Sequence, residues 1–212
     1  MSLPHPIDPR RTALLVVDLQ NDFLAPDGAY ARGGAASEAA RALPARVAPL
    51  ARALKAAGGM VVASRFTLWP DAAGEPMVSD HLRALRPFLA RGDFAPGSRG
   101  QQVVDALDPL VDVRVDKVAY SAFFSTQLDW VLRHAGIDTV VVGGIVTNGG
   151  VASTARDAHV REYHVQVLAD GCAAFREQTH AASLADLATV GEVLDCAGWL
   201  ARLAAAARGP TA

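Results

Sequence analysis

Six short apolar runs punctuate the chain: "TALLVVDL" from Thr12, "GMVVASRF" from Gly59, "VDVRVDK" from Val111, "DTVVVGGIV" from Asp138, "HVQVLAD" from His164 and "GEVLD" from Gly191. They are rich in β-branched residues and show little polar/apolar alternation, the pattern of strands covered on both faces. Helical patterns lie between them, at "LARALKAAGG" ending near Gly58, at "STQLDWVLRHAG" from Ser125 to Gly136, and at "TNGGVASTARDAHVRE" from Thr147 to Glu162. In the second of these Leu128, Val131, Leu132 and Ala135 share a face, Ser125 is the expected N-cap, and Gly136 is the expected residue just past the end. A last helix is expected from Cys196, with the terminal "GPTA" frayed. Strand and helix in alternation predict a parallel sheet inside a three-layer α/β/α sandwich, in one domain spanning residues 1–212.

One segment breaks the rhythm. Leu68 to Gly100 carries Pro70, Pro76, Pro87 and Pro96 and no long apolar run, so it reads as an excursion from the sheet, a binding loop or lid on one reading and a peripheral loop on the other.

Composition narrows the function classes. Of 212 residues, 51% are hydrophobic and 20% charged, which excludes a disordered or fibrous chain. The net charge of −2 and the scattered Lys and Arg give no basic stripe for nucleic acid. No apolar run reaches the length of a membrane span and the N-terminus lacks a signal-peptide core, so a cytoplasmic protein without a membrane partner is expected. The two cysteines, Cys172 and Cys196, have no metal-ligand spacing, and neither a metal nor a cofactor is predicted. "GGIVTNGG" has the wrong spacing for a dinucleotide fingerprint.

In an open α/β sheet ligands bind beyond the carboxyl ends of the strands. Three places qualify: Asp18 after the first run, Lys117 after the third, and the turn from Thr147 to Gly150 after the fourth. A carboxylate ending an apolar strand is costly to bury unless paired or used, and a lysine ending another strand is a fitting partner. Ordering of the following "LQNDF" is the competing role for Asp18, and solvent exposure the competing state of Lys117.

Taken together, "ALLVVDLQNDF", "DKVAYSAFFSTQLDWVLRHAGIDTVVVGGIVTNGGVASTARDA" and "VLADGCAAF" resemble, in order and across most of Thr12 to Leu194, the isochorismatase-like cysteine hydrolase superfamily. The resemblance implies a Rossmann-like, six-stranded parallel sheet, a homo-oligomer (dimer or tetramer), and hydrolysis of a small molecule by an Asp, a Lys and usually a Cys. Here the first two positions hold Asp18 and Lys117, and the Cys position holds Gly150. It further implies a cis peptide between Ile145 and Val146, and backbone amides of Val146, Gly149 and Gly150 that stabilise an oxyanion.

Without a thiol the acyl-enzyme route is closed at position 150. Two chemistries survive: protonation of a vinyl ether by Asp18, or attack by water on an activated amide or ester with Asp18 as general acid/base and Lys117 as electrostatic partner. A silent descendant that binds a small carboxylate or amide is the alternative. Gln20, Phe23, Arg65, Trp69, Phe123, Thr147 and Asn148 are expected to line the pocket. Cys172 is expected just after the fifth strand, where it is a candidate for a displaced nucleophile. Cys196 is expected in the core, and His159 lies too far along its helix to serve the turn.

Overall fold

A computed structural model describes residues 6–207. The expected fraying of "GPTA" falls outside them. Six strands, β1 (Thr12–Val17), β2 (Met60–Phe66), β3 (Val113–Lys117), β4 (Thr139–Ile145), β5 (His164–Ala173) and β6 (Glu192–Leu194), form one sheet in the order β3-β2-β1-β4-β5-β6. Every pairing is parallel. Three short helices follow β1: α1 (Asn21–Leu24), α2 (Ala29–Arg32) and α3 (Glu38–Arg41). The longer α4 (Leu43–Ala56) then leads into β2, and α5 (Asp80–Leu85) lies in the excursion. The second half carries α6 (Leu128–His134), α7 (Ala152–Val160), α8 (Glu177–Leu187) and α9 (Cys196–Ala207).

β1 and β4 are buried along their whole length, as their unbroken apolar runs require. Leu14 and Val16 of β1 pack with α4 and α9, whereas Leu15 and Val17 pack with α6 and α7. The sheet therefore separates two apolar layers, and the three-layer sandwich follows from alternate side chains of one strand. No described helix is long and apolar enough to cross a membrane.

Strand order reverses between β1 and β4, which makes the carboxyl ends of these two strands the switch point of the sheet. Gly144 sits there with φ +132°, and a β-carbon on it would fall 2.1 Å from the Val17 carbonyl oxygen. Only glycine permits that approach.

Two expectations need correction. Ser125 does not cap α6: its φ is +54°, Gln127 is the N-cap residue, and Ala135 of the predicted apolar face is exposed. β5 continues past Asp170 to Ala173, so Cys172 lies inside the strand, paired with Gly144. The Leu68 to Gly100 excursion packs back on the molecule. Leu68, Leu89 and Phe94 from it close a third apolar cluster with Ala29 and Tyr30 of α2.

Tying that cluster down is the work of the three residues after Leu19. Gln20 bridges Phe66 and Gln101, donating from Nε2 to both carbonyls at 2.9 Å and accepting from the Phe66 N–H at 2.7 Å. Asn21 donates to the Arg99 carbonyl at 2.9 Å. The buried Asp22 carboxylate accepts the backbone N–H of Ala29 at 3.1 Å and of Phe94 at 2.6 Å. The side chains of Gln20, Asn21 and Asp22 order this loop, while the Asp18 carbonyl accepts the Gln20 N–H at 2.8 Å and its carboxylate is held by Lys117 and Ser64.

Candidate functional site

Asp18 leaves β1 in the left-handed region, with φ +56°, a conformation that Asp tolerates better than most residues. Lys117 ends β3, two strands away, a separation of about 10 Å between backbones. Its long stem crosses the end of β2, and Nζ meets Asp18 Oδ2 at 2.7 Å, with both side chains buried. Between them on β2, Ser64 donates from Oγ to Asp18 Oδ1 at 2.9 Å. Each carboxylate oxygen therefore receives one donor and keeps a lone pair for a further one. Lys117 also donates to the Ala119 carbonyl at 2.9 Å, and its ammonium lies 5.6 Å from the centre of the Phe66 ring.

Burial raises the Asp18 pKa, and this outweighs the lowering by the Lys117 charge, the Lys117 hydrogen bond and the Ser64 hydrogen bond. The opposition of apolar strand end and ammonium is thus decided in favour of burial. The pair carries the chemistry of a carboxyl group able to hold or release a proton beside a fixed cation.

The third component is the turn after β4. The Ile145–Val146 peptide is cis, and a π turn over Thr147–Val151 runs into α7. A β-carbon built on Gly150 would stand 3.2 Å from Asp18 Oδ2, 3.1 Å from Val17 Cγ1 and 2.9 Å from the Ile145 carbonyl oxygen. Gly150 thus abuts the carboxylate, and a side chain there requires the Ile145 carbonyl to give way. Thr147 is buried with Oγ1 2.8 Å from Nδ1 of His180, which fixes the turn against the first turn of α8.

Of the amides expected to face an oxyanion, that of Gly149 is spent: it donates to the Val146 carbonyl at 2.9 Å. A β-carbon on Gly149 would lie 3.3 Å from the Tyr120 ring, so this exposed tyrosine lies over the turn.

Of the expected lining residues, Phe123 and Gln20 are committed elsewhere. Phe123 is buried in the layer beneath α6 and α7, with its ring 6.0 Å from that of Tyr163 and the Arg161 guanidinium over it, so it belongs to the core and not to the pocket. Arg65 is held by Asp116, its cross-strand partner, at 2.7 Å. Gln20 is wholly engaged in the clamp described above, while Trp69 and Asn148 are exposed. Phe23 stands among aromatic rings, 6.3 Å from Phe66, 4.7 Å from Tyr30 and 4.6 Å from Phe94. Cys172 is buried and burial pushes its thiol up to about 12, which removes it as a displaced nucleophile. Cys196 sits in the core.

Sequence reasoning missed Ser64, Tyr120 and Tyr30. Only Ser64 carried a signal, a small polar residue inside an apolar strand.

Residues 12–198 match the profile of the isochorismatase domain. The chain belongs to the isochorismatase family. It is an α/β hydrolase of that family. It is 38% identical to a ureidoacrylate amidohydrolase, RutB, of Methylobacterium radiotolerans over 98% of this chain and 86% of that protein. A second RutB, from Caulobacter vibrioides, is 36% identical over 79% of each. Among solved structures, a cysteine hydrolase from Pseudomonas syringae pv. phaseolicola superposes with a TM-score of 0.81 at 33% identity, covering 97% of this chain and all of that one. An N-carbamoylsarcosine amidase from Thermoplasma acidophilum superposes with a TM-score of 0.69 at 27% identity, over 88% and 96%.

Proposed function

We propose that this isochorismatase-family hydrolase cleaves an activated small amide or ureide by direct attack of water, with no covalent enzyme intermediate. One observation carries the reading: the buried Asp18–Lys117 pair, 2.7 Å apart, stands against a glycine where a nucleophilic side chain would otherwise be. The names of the similar amidohydrolases support the bond type.

Asp18 takes a proton from water as the oxygen adds to the carbonyl carbon. The carbonyl oxygen becomes an oxyanion, to which the amides of Val146 and Gly150 donate. Asp18 then returns the proton to the departing nitrogen as the C–N bond breaks. Lys117 donates to the Asp18 carboxylate and holds it in place. A general base works best with a pKa near the operating pH, and burial moves Asp18 in that direction. The same upward shift suits Asp18 to protonate the carbon of a vinyl ether, the second reading, in which water captures the resulting cation.

The test is a panel of small amides, ureides and vinyl ethers with wild-type protein and Asp18→Asn. Turnover of one class, falling by about 100-fold or more in the variant, is the expected result. Undiminished turnover in Asp18→Asn, or none from wild type on any member, overturns the mechanism. The latter outcome would favour a silent binding protein.

A further inference from the structure

Beside the turn after β4 lies a cavity of about 320 Å³, with the buried carboxyl end of β5 as its floor and walls from α3, α4 and α8. Asp18, Lys117 and Gly150 do not line it. Ala39, Ala169, Ala173 and Ala174 do, and their short side chains leave the space open. Cys172 lines it too, but its buried thiol is pushed up to about 12 and is inert there.

Three further lining side chains, Arg46, Glu177 and His180, are polar and have capacity to spare. Arg46 reaches over from α4 and donates from Nη1 to the Asp170 carbonyl at 3.1 Å, which leaves the rest of its guanidinium donors uncommitted. Glu177 and His180 stand three apart in the first turn of α8 and so share a face. The Asp170 carboxylate is taken, since it accepts the Cys196 N–H at 2.7 Å, whereas the Glu177 carboxylate has no partner among the described residues. His180 is half-buried, and its Nδ1 lies 2.8 Å from Thr147 Oγ1. Thr147 does not line the cavity, so the imidazole is a partition with Nδ1 on the catalytic turn and Nε2 left for an occupant of the cavity.

We infer that this cavity is a second ligand site, which takes a short aliphatic zwitterion of the small amino acid class. The ligand carboxylate lies on the Arg46 fork, its ammonium on Glu177, and its body over the alanines against His180. A guanidinium and a free carboxylate on one cavity call for an acceptor and a cation in the same molecule, and a ligand with only one of them leaves the other protein group unanswered. The volume is at the small end for ligand pockets, and alanine walls without an aromatic face suit a few carbon atoms and not a ring. Through His180 the ligand bears on Thr147, the buried first residue of the turn, so the turn feels its presence. The site does not depend on the chemistry proposed for Asp18 and stands whether or not that chemistry occurs.

The experiment measures binding to the full chain by calorimetry, with L-alanine and 4-aminobutyrate as zwitterions and propionate and propylamine as singly charged controls. One of the zwitterions should bind at least about tenfold more tightly than either control, the effect of one charged hydrogen bond. Glu177→Gln and Arg46→Gln, both exposed positions at which the fold tolerates change, should each abolish that margin. Ala39→Leu, which narrows the cavity without touching a charge, should abolish binding. Asp18→Asn should bind the zwitterion as wild type does. In NMR spectra of the wild type, saturation should shift the His180 ring and the Thr147 amide. Absence of zwitterion binding, or affinity no better than that of the controls, overturns the inference. So does a margin that survives in either Gln variant, undiminished binding in Ala39→Leu, or an unmoved His180 ring. Loss of binding in Asp18→Asn overturns it as well, because the ligand would then sit at the catalytic pair.

Discussion

Asp18 and Lys117 are each other's only tolerable environment. Two charges buried side by side are a weak source of stability, but one of them left alone is a large cost, about 3–5 kcal/mol. Lys117→Met should therefore destabilise the fold by that order at neutral pH, and the pH dependence has a definite sign. Burial already raises the Asp18 pKa above that of an unfolded Asp, and loss of the lysine removes the largest opposing influence, pushing it higher. A raised carboxyl favours the folded state at low pH, and that contribution is lost as pH rises through the folded pKa. Urea unfolding should therefore show a deficit for Lys117→Met that is small near pH 4 and grows toward pH 8. A deficit that is flat across this range would mean that Asp18 does not titrate there.

At the scale of elements, what could be read in advance depended on how far local pattern and tertiary burial agree. β1 and β4 are apolar throughout and buried throughout, and their runs predict them with errors of a residue or two at the ends. β5 was cut short at Asp170 because a carboxylate and a glycine look like a turn. Instead the Asp170 side chain accepts the Cys196 N–H at 2.7 Å at the start of α9, and the strand runs on. α8 left little trace: Leu187 is its one buried residue, so no apolar stripe marks it. Asp18, Lys117 and Gly150 stand at strand ends and in a recognisable order, which made them legible. Tyr30 and Phe94 come from short or irregular segments whose placement depends on contacts far away in sequence. The staple that places them makes its own prediction. Asp22→Asn exchanges an acceptor for a donor opposite two buried N–H groups, at a cost of about 1–3 kcal/mol. Hydrogen exchange should accelerate at Ala29 and Phe94, while the amides of β1 and β4 keep their protection. Uniform acceleration would mean that the excursion and the sheet open as one unit.

Across the whole molecule, division of labour follows the sheet. Helices on both faces bury the strands and leave only their carboxyl ends available, and there the side chains of three parallel strands and the turn after a fourth converge. The frame is shared with a cysteine hydrolase and an N-carbamoylsarcosine amidase, whereas the excursion stands outside the sheet and packs against α2. The excursion therefore has freedom to vary that the strand ends lack. The contact of Gly144 with the Val17 carbonyl shows where such freedom stops. A saturation library scored for soluble expression should return glycine alone at codon 144 and broad tolerance at the exposed codons 72 and 73, so that change has a permissive edge on one side and an immovable seam on the other.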